Sequence, residues 1–217
     1  GISKRLIIQD IEQFVSKLGK NEIPIMENLK IDYNRVTGIA IAGNSGGGKS
    51  YLVKFLLNVL VKFSDLVIVD PKFDAPSRWG RDNNVKVIAP RDNSSKSDFV
   101  SAVNSELSKC LDLINKRQQI LYNNPQAELK QYTIVIDELL ALSEGVTKSI
   151  KDSFFSLLIQ TALLGRSTKI HLLLVSQRFD SSSIPISCRE QMNVLIQVGN
   201  INSKTTQFLF PDLDLKG

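Results

Sequence analysis

The sequence predicts an α/β fold in which a mostly parallel β-sheet is covered by helices on both faces. Two observations carry this prediction. Short apolar runs alternate along the chain with longer segments of helical periodicity, which is the pattern of a parallel sheet with crossover helices. The apolar runs also lack the polar alternation of a strand with one solvated face, as expected for strands buried on both sides.

The elements follow from this alternation in chain order. The predicted strands are 38–42, 66–69, 85–88, 133–136, 172–175 and 194–198. Apolar residues at helical spacing predict helices at 7–18, 51–63, 97–122 and 148–164, with a further short helix at 203–210. Residues 21–36 look like a connector with little regular structure. We therefore expect an N-terminal helix and connector over 1–35 and one core domain over 36–217.

Composition indicates a globular protein. The chain has 217 residues, of which 42% are apolar and 23% charged, and no apolar run reaches the roughly 18 residues of a membrane span. Cys110 and Cys188 are far apart and His171 is the single histidine, so a zinc site is not expected. The net charge of +5 fits either an ordinary solvated surface or contact with a polyanion.

The location of the protein is predicted from the same features. The two isolated cysteines suggest reduced thiols and a cytoplasmic protein. The first residue is Gly rather than Met, which suggests a cut sequence. A membrane anchor or a recruiting partner could therefore act through missing regions, at the inner face of the membrane.

A glycine-rich segment after the first strand has the pattern G-x-x-x-x-G-K-S. In such a loop, backbone N–H groups point at phosphate oxygens, and the following helix adds the positive end of its dipole. This pattern predicts a P-loop NTPase that binds ATP with Mg²⁺. The predicted nucleotide-binding residues are Gly43, Asn44, Ser45, Gly46, Gly47, Gly48, Lys49, Ser50 and Tyr51.

Two consecutive carboxylates end the strand at 133–136. Asp137, together with the Ser50 hydroxyl, is predicted to hold Mg²⁺. Glu138 is predicted to be the general base that polarises the attacking water. A kinase would not need the second acid, so the pair favours hydrolysis.

Three further residues are candidates for catalysis. Gln177 follows the 172–175 strand, which lies between the other two site strands in hydrolases with paired acids, and could sense the γ-phosphate or orient the water. Arg166 could reach a neighbouring subunit as an arginine finger, and Arg178 is a second candidate. Each of the three could instead be an ordinary surface residue.

These segments together resemble the motor domain of the FtsK/HerA superfamily of DNA-pumping ATPases. The resemblance rests on the strand ending in Asp70-Pro-Lys72, on the segment 134–139, and above all on the run from Gly165 to Arg178. It covers about Val36 to Pro211 and implies a RecA-like ASCE core. By this comparison, only a short remnant of the family's usual upstream domain is expected before Val36 and no winged helix after the core, and Ser181–Ser183 stands where the family's loop is commonly richer in Pro and Val.

The resemblance implies a DNA-translocating ring motor, usually a hexamer, acting on double-stranded DNA without sequence specificity. A coupling ATPase of a conjugative or integrative element is a natural member. Two loops, at about 142–152 with Lys148 and Lys151, and at about 178–189, are expected to contact DNA phosphates. Two alternatives stay open: a protein-export ATPase of type VII-like architecture, and a nucleotide-binding module without turnover.

Overall fold

The computed structural model describes residues 21–26, 29–44, 47–181 and 183–199. The predicted helices at 7–18 and 203–210 lie outside the described residues, as do Ser45 and Gly46 of the glycine-rich segment. The predicted division of the chain at residue 36 stays a prediction.

The described elements alternate between strands and helices after an initial hairpin. The strands are β1 (Glu22–Met26), β2 (Leu29–Asp32), β3 (Gly38–Gly43), β4 (Ser64–Val69), β5 (Lys86–Ile88), β6 (Gln131–Asp137), β7 (Ile170–Ser176) and β8 (Val194–Val198). The helices are α1 (Gly47–Leu60), α2 (Ala75–Asp82), α3 (Lys96–Asn123), α4 (Leu140–Ser143), α5 (Lys148–Leu164) and α6 (Ile186–Arg189).

The central sheet has six strands within the described residues, in the order β5-β4-β6-β7-β3-β8. All of its neighbouring strands pair in parallel. The α/β fold with a parallel sheet is therefore confirmed. Because β7 lies between β3 and β6, the glycine-rich segment and the paired carboxylates approach each other across the end of β7, as the sequence predicts.

Side chains alternate between the two faces of this sheet. In β3, Ala40 and Ala42 pack on the face covered by α3 and α5. Ile39 and Ile41 pack on the opposite face against α1, α2 and the hairpin. The small alanines suit a close helix contact, and burial of both faces explains why β3 reads as a continuous apolar run.

The expectation of an irregular connector over 21–36 is wrong. Residues of β1 and β2 form an antiparallel hairpin, with Glu22 opposite Asp32, and Ile23 of the hairpin is buried. The hairpin leads to Tyr33, which is fully buried and whose hydroxyl lies 2.6 Å from the Thr133 hydroxyl of β6. A period-two pattern this short, interrupted by Pro24, is weak evidence for a strand.

His171 is buried near the amino end of β7. Its Nδ1 lies 2.7 Å from the Val36 carbonyl oxygen, which can only accept, so Nδ1 carries a proton. Its Nε2 lies 2.5 Å from Gln131 Oε1, and its ring stacks on Tyr33 with centroids 4.0 Å apart. With the proton on Nδ1, a neutral ring accepts at Nε2, which requires the Gln131 amide to turn its NH₂ group towards the ring. Burial lowers the pKa of His171 from 6.5 to about 4, so the ring is neutral near pH 7.

Candidate nucleotide-binding site

Two glycines of the glycine-rich segment, Gly43 at the end of β3 and Gly48 in the first turn of α1, approach β8, the last strand of the sheet within the described residues. A Cβ atom on Gly43 would lie 2.8 Å from the Val198 carbonyl oxygen, and one on Gly48 would lie 2.9 Å from a Val198 methyl carbon. Both approaches are closer than a side chain tolerates. The close contact with β8 thus favours glycine at both positions.

Lys49 lies in the first turn of α1 with its side chain directed along the ends of β3, β7 and β6. It is buried, and its Nζ lies 3.8 Å from Glu138 Oε2. Burial lowers the pKa of Lys49, and the nearby Lys72 lowers it further, while Glu138 and Asp137 oppose the shift. At 3.8 Å the ammonium makes a charge contact but no good hydrogen bond with Glu138, which leaves its donors available to a phosphate.

Asp137 ends β6 in a negatively charged surrounding. Burial raises its pKa to about 6, the neighbouring Asp70 raises it further, and Lys72 and Lys49 act in the opposite sense. A divalent cation would relieve this concentration of carboxylates. Asp137 and Ser50 line the same groove and offer the oxygen ligands that Mg²⁺ prefers, so the donor set fits that ion.

No cluster of three or more His, Cys, Asp or Glu side chains that could hold a metal occurs among the described residues. A magnesium ion at Ser50 and Asp137 would therefore depend on phosphate oxygens and water for its remaining ligands. Mg²⁺ commonly binds through one or two carboxylates plus substrate phosphates, so this arrangement is an ordinary one for the ion.

Glu138 is buried and has an unusual backbone conformation. Its φ of 61° lies in the left-handed region, which costs a residue with a Cβ roughly 1 kcal/mol. Its Oε1 accepts a hydrogen bond from the Ser176 hydroxyl at 3.1 Å, whereas the buried Oε2 accepts none. The turn directs the carboxylate back over the ends of β6 and β7, towards Lys49.

Asp70, at the end of β4, organises a loop that the sequence analysis assigned no role. It is fully buried, and its carboxylate accepts the backbone N–H groups of Lys72, Asp74 and Ser77 and the Ser77 hydroxyl, at 2.6–3.1 Å. These bonds fix the chain between β4 and α2. The Asp-Pro-Lys sequence was the available signal, but nothing in it shows that the aspartate is turned inwards.

A groove of about 440 Å³ lies between α1 and α2 and opens onto the phosphate-loop lysine. It is lined by Lys49, Ser50, Lys72, Trp79, Asp137 and Glu138 among others. The groove brings together the lysine, the hydroxyl and the two carboxylates predicted from the sequence. It also includes Lys72, a cation that the sequence analysis did not select.

The other predicted residues lie outside this group. Tyr51 is 49% exposed on α1, and Gln177 is exposed just beyond β7. Arg166 is exposed in the turn before β7, at the amino end of the strand, whereas Lys49 lies at the carboxyl ends. Arg166 therefore lies away from the candidate site of its own chain. Arg178 instead contacts Glu144 at 4.0 Å and Asp180 at 3.7 Å.

A glycine-rich loop between a central strand and its helix, with a lysine facing two carboxylates across one intervening strand, defines a P-loop ATPase domain, a class that binds nucleotides. A family model described as an AAA domain matches residues 35–181, more than half of the chain. The chain belongs to this AAA domain family.

Individual relatives are more distant. The FtsK domain-containing protein YdcQ of Bacillus subtilis strain 168 is 21% identical over 198 residues, which are 88% of this chain and 40% of YdcQ. The conjugation coupling protein TcpA of pCW3, solved with ATPγS, has a TM-score of 0.68 at 23% identity, over 97% of this chain and 62% of that chain. EssC of Geobacillus thermodenitrificans, covering its ATPases 2 and 3, has a TM-score of 0.65 at 15% identity, over 97% of this chain and 42% of that chain.

These matches confirm the predicted resemblance to the FtsK/HerA superfamily. The identities to the solved structures are low, so these structures support the fold. The chain spans less than two thirds of the length of YdcQ and of TcpA. Among the described residues, no helix is long and apolar enough to cross a bilayer.

Proposed function

We propose that this chain is the motor core of a ring ATPase that hydrolyses ATP to move DNA. The observation that carries the hydrolytic part is the convergence of Lys49, Asp137 and Glu138 at the carboxyl ends of β3 and β6, with Lys49 Nζ 3.8 Å from Glu138 Oε2. A nucleotide-binding module without turnover would not need a buried second acid in the left-handed conformation.

The residues have separate tasks in this proposal. The N–H groups of the glycine-rich segment and the Lys49 ammonium hold the β- and γ-phosphates. Glu138 takes a proton from a water molecule as the oxygen of that water bonds to the γ-phosphorus. The bond between that phosphorus and the bridging oxygen breaks, which yields ADP and phosphate. Mg²⁺ held by Ser50 and Asp137 would neutralise charge on the phosphate oxygens.

The positions of the candidate arginines favour assembly into a ring. Arg166 lies at the amino end of β7, whereas Lys49 lies at the carboxyl ends of the strands. As an arginine finger, Arg166 would therefore act on the nucleotide of a neighbouring copy. Arg178 is held by Glu144 and Asp180 in its own chain, which makes Arg166 the better candidate of the two. A ring in which each copy completes the next site, hexameric in the resembling family, follows from this assignment. Gln177, beyond β7, would sense the γ-phosphate only after moving inwards.

Two features favour a polyanion as the transported partner. The ion pair between Arg178 and Glu144 joins the loop after β7 to the loop before α5, so both predicted DNA-contacting loops lie on one surface. Lys148 and Lys151 lie in the first turn of α5, which contains no acidic residue. Cations are unfavourable at this positive end of a helix dipole. A phosphate placed there would interact favourably with the two lysines and with the helix end.

The experiment is ATP hydrolysis with and without long double-stranded DNA, at high protein concentration, with Lys49→Ala as the inactive control. We expect DNA to stimulate turnover and salt to abolish the stimulation. Lys148→Ala with Lys151→Ala should remove most of the stimulation and lower the slope of log affinity against log salt by about two. Lys62→Ala with Lys116→Ala, an equal charge change at exposed lysines away from these loops, should keep it.

Protein export is the second candidate function, because the chain also resembles EssC and EccC, of which the latter is described as a type VII secretion ATPase. Lys49-dependent turnover that DNA does not change would favour this alternative. Equal loss of basal and stimulated turnover in the Lys148 and Lys151 variant would contradict the proposed DNA contact. A recruiting partner, or attachment to the inner face of the membrane, would act through regions beyond this core.

A further inference from the structure

Strand β7 restrains the end of β6 at two consecutive positions. The Val175 carbonyl oxygen accepts the Leu139 N–H at 2.9 Å, and the Ser176 hydroxyl donates to Glu138 Oε1 at 3.1 Å. The first bond holds the backbone just after the strained Glu138, and the second holds its side chain. Without such contacts, a residue with a φ of 61° would relax towards a more favourable conformation.

The Ser176 hydroxyl is a specific restraint on the carboxylate. Ser176 is fully buried, so its hydroxyl has no access to bulk water. In the ionised form that a general base requires, the Glu138 carboxylate makes this hydrogen bond a charge-assisted one. Lys49, at 3.8 Å, is too far to orient Glu138 by a hydrogen bond. Ser176 therefore holds one oxygen of the Glu138 carboxylate by a hydrogen bond that Lys49 does not make.

The two oxygens of this carboxylate have different surroundings. Oε1 is occupied by Ser176, while Oε2 is buried without a hydrogen-bond donor and faces Lys49. A buried carboxylate oxygen without a donor is costly and needs a partner. A water molecule between Oε2 and a γ-phosphate held by Lys49 would supply the missing hydrogen bond and would be aligned for attack.

We propose that Ser176 is a positioning residue for ATP hydrolysis, which fixes Glu138 so that Oε2 receives the proton of the attacking water; this rests on the proposed role of Glu138 as the general base. In this step, the water molecule loses a proton to Glu138 Oε2 as the oxygen of the water bonds to the γ-phosphorus. The bond between the γ-phosphorus and the oxygen that bridges to the β-phosphate breaks. Ser176 keeps its own proton and never touches the nucleotide.

The test compares kcat, KM and ATPγS affinity for Ser176→Ala, Ser176→Thr and Ser64→Ala. Ser64 is the matched control, because it is also a buried serine of the sheet and its hydroxyl lies 2.8 Å from that of Thr133. It lies at the amino ends of the strands, away from Glu138. Ser176→Ala should lower kcat about tenfold, as expected for one charge-assisted hydrogen bond, with unchanged KM and ATPγS affinity. Ser176→Thr should restore kcat, and Ser64→Ala should leave it unchanged.

A double-mutant cycle shows whether Ser176 acts through Glu138. In the Glu138→Gln background, Ser176→Ala should cause no further loss of the residual turnover. Additive losses, or a Ser176→Ala variant with the kcat of the wild type, would overturn the proposal. If the alanine variant does not fold, Ser176→Cys retains most of the volume with a weak donor and should show the same loss of kcat.

Failure of the underlying function gives a different result. Glu138→Gln would then turn over as fast as the wild type, or the wild type would bind ATPγS without hydrolysing ATP. In either case the Ser176 proposal would fall together with the role of Glu138.

Discussion

The contact between the glycine-rich segment and β8 makes a prediction about two glycines that sequence alone treats as equivalent. Gly43→Ala places a Cβ atom 2.8 Å from the Val198 carbonyl oxygen, a backbone atom held in the sheet. Gly48→Ala places one 2.9 Å from a Val198 methyl carbon, which belongs to a side chain that can be shortened. The two substitutions should therefore respond differently when Val198 is changed to Ala.

The magnitudes follow from overpacking and helix propensity. Overpacking of this kind costs roughly 1–3 kcal/mol, so each single alanine variant should lower the free energy of unfolding. For Gly48 the clash is offset in part, because Ala is favoured over Gly in a helix by up to about 1 kcal/mol and Gly48 lies in the first turn of α1. Once Val198→Ala removes the methyl group, Gly48→Ala should become neutral or stabilising, whereas Gly43→Ala should keep most of its cost.

The assay is urea unfolding of the nucleotide-free protein for both double-mutant cycles. We expect a coupling energy with Val198→Ala of about 1–2 kcal/mol for Gly48→Ala and under about 0.5 kcal/mol for Gly43→Ala. Equal rescue of the two glycine variants would refute the reasoning, since it would mean that the Val198 backbone does not limit the approach of Gly43. The absence of nucleotide keeps phosphate binding out of the measurement.

Three further predictions concern the base, the Asp70 loop and the buried histidine. Glu138→Gln should lower ATP turnover at least about a hundredfold with ATPγS affinity retained, as for loss of a general base, whereas Glu106→Gln, a buried acid outside the site, should leave turnover unchanged. Asp70→Asn should lower the free energy of unfolding by about 3 kcal/mol, because the amide NH₂ group repels some of the N–H groups that donate hydrogen bonds to the carboxylate. Ser77→Ala removes a single hydroxyl donor and should lower it by about 1 kcal/mol. Equal losses for the two variants in urea unfolding would contradict this. His171, with its pKa lowered to about 4, should stay neutral above pH 5 in the folded protein. As the pH falls from 6.5 towards 4, the unfolded chain binds a proton at this residue that the folded chain does not, so the free energy of unfolding should decrease. A titration midpoint near 6.5 for the imidazole NMR signal of the folded protein would refute this.

The sequence predicts the parts of the site that depend on local pattern. A buried strand, the glycine-rich segment and a buried helix follow each other within a short span, and their spacing alone places Lys49 at the start of α1. Asp137 and Glu138 follow directly from the strand that they end. Even the position of β7 between β3 and β6 was predictable, because paired-acid hydrolases share that order, and the structure has it.

The missed features depend on contacts between segments that are distant in sequence. Asp70 contacts backbone groups up to Ser77, and this bonding orders a loop and α2 in a segment whose sequence has too few apolar residues to show helical spacing. Ser176 looks like an ordinary strand-ending residue until Glu138 turns back towards it. A hydrogen bond across 38 residues leaves no periodic trace in the sequence.

Strand β7 connects several parts of the proposed motor. Its carboxyl end holds Glu138 through Ser176 and continues into Arg178, which is paired with Glu144 in the loop before α5. Its amino end follows the turn that carries Arg166. Strand β7 lies between β3 and β6 and is buried along its whole length, as expected for a closely packed element. One strand therefore connects the proposed base, the proposed DNA-contacting surface and the proposed contact with a neighbouring copy. Because Ser176 contacts Glu138, a change in the position of Ser176 should affect ATP turnover before it affects nucleotide binding.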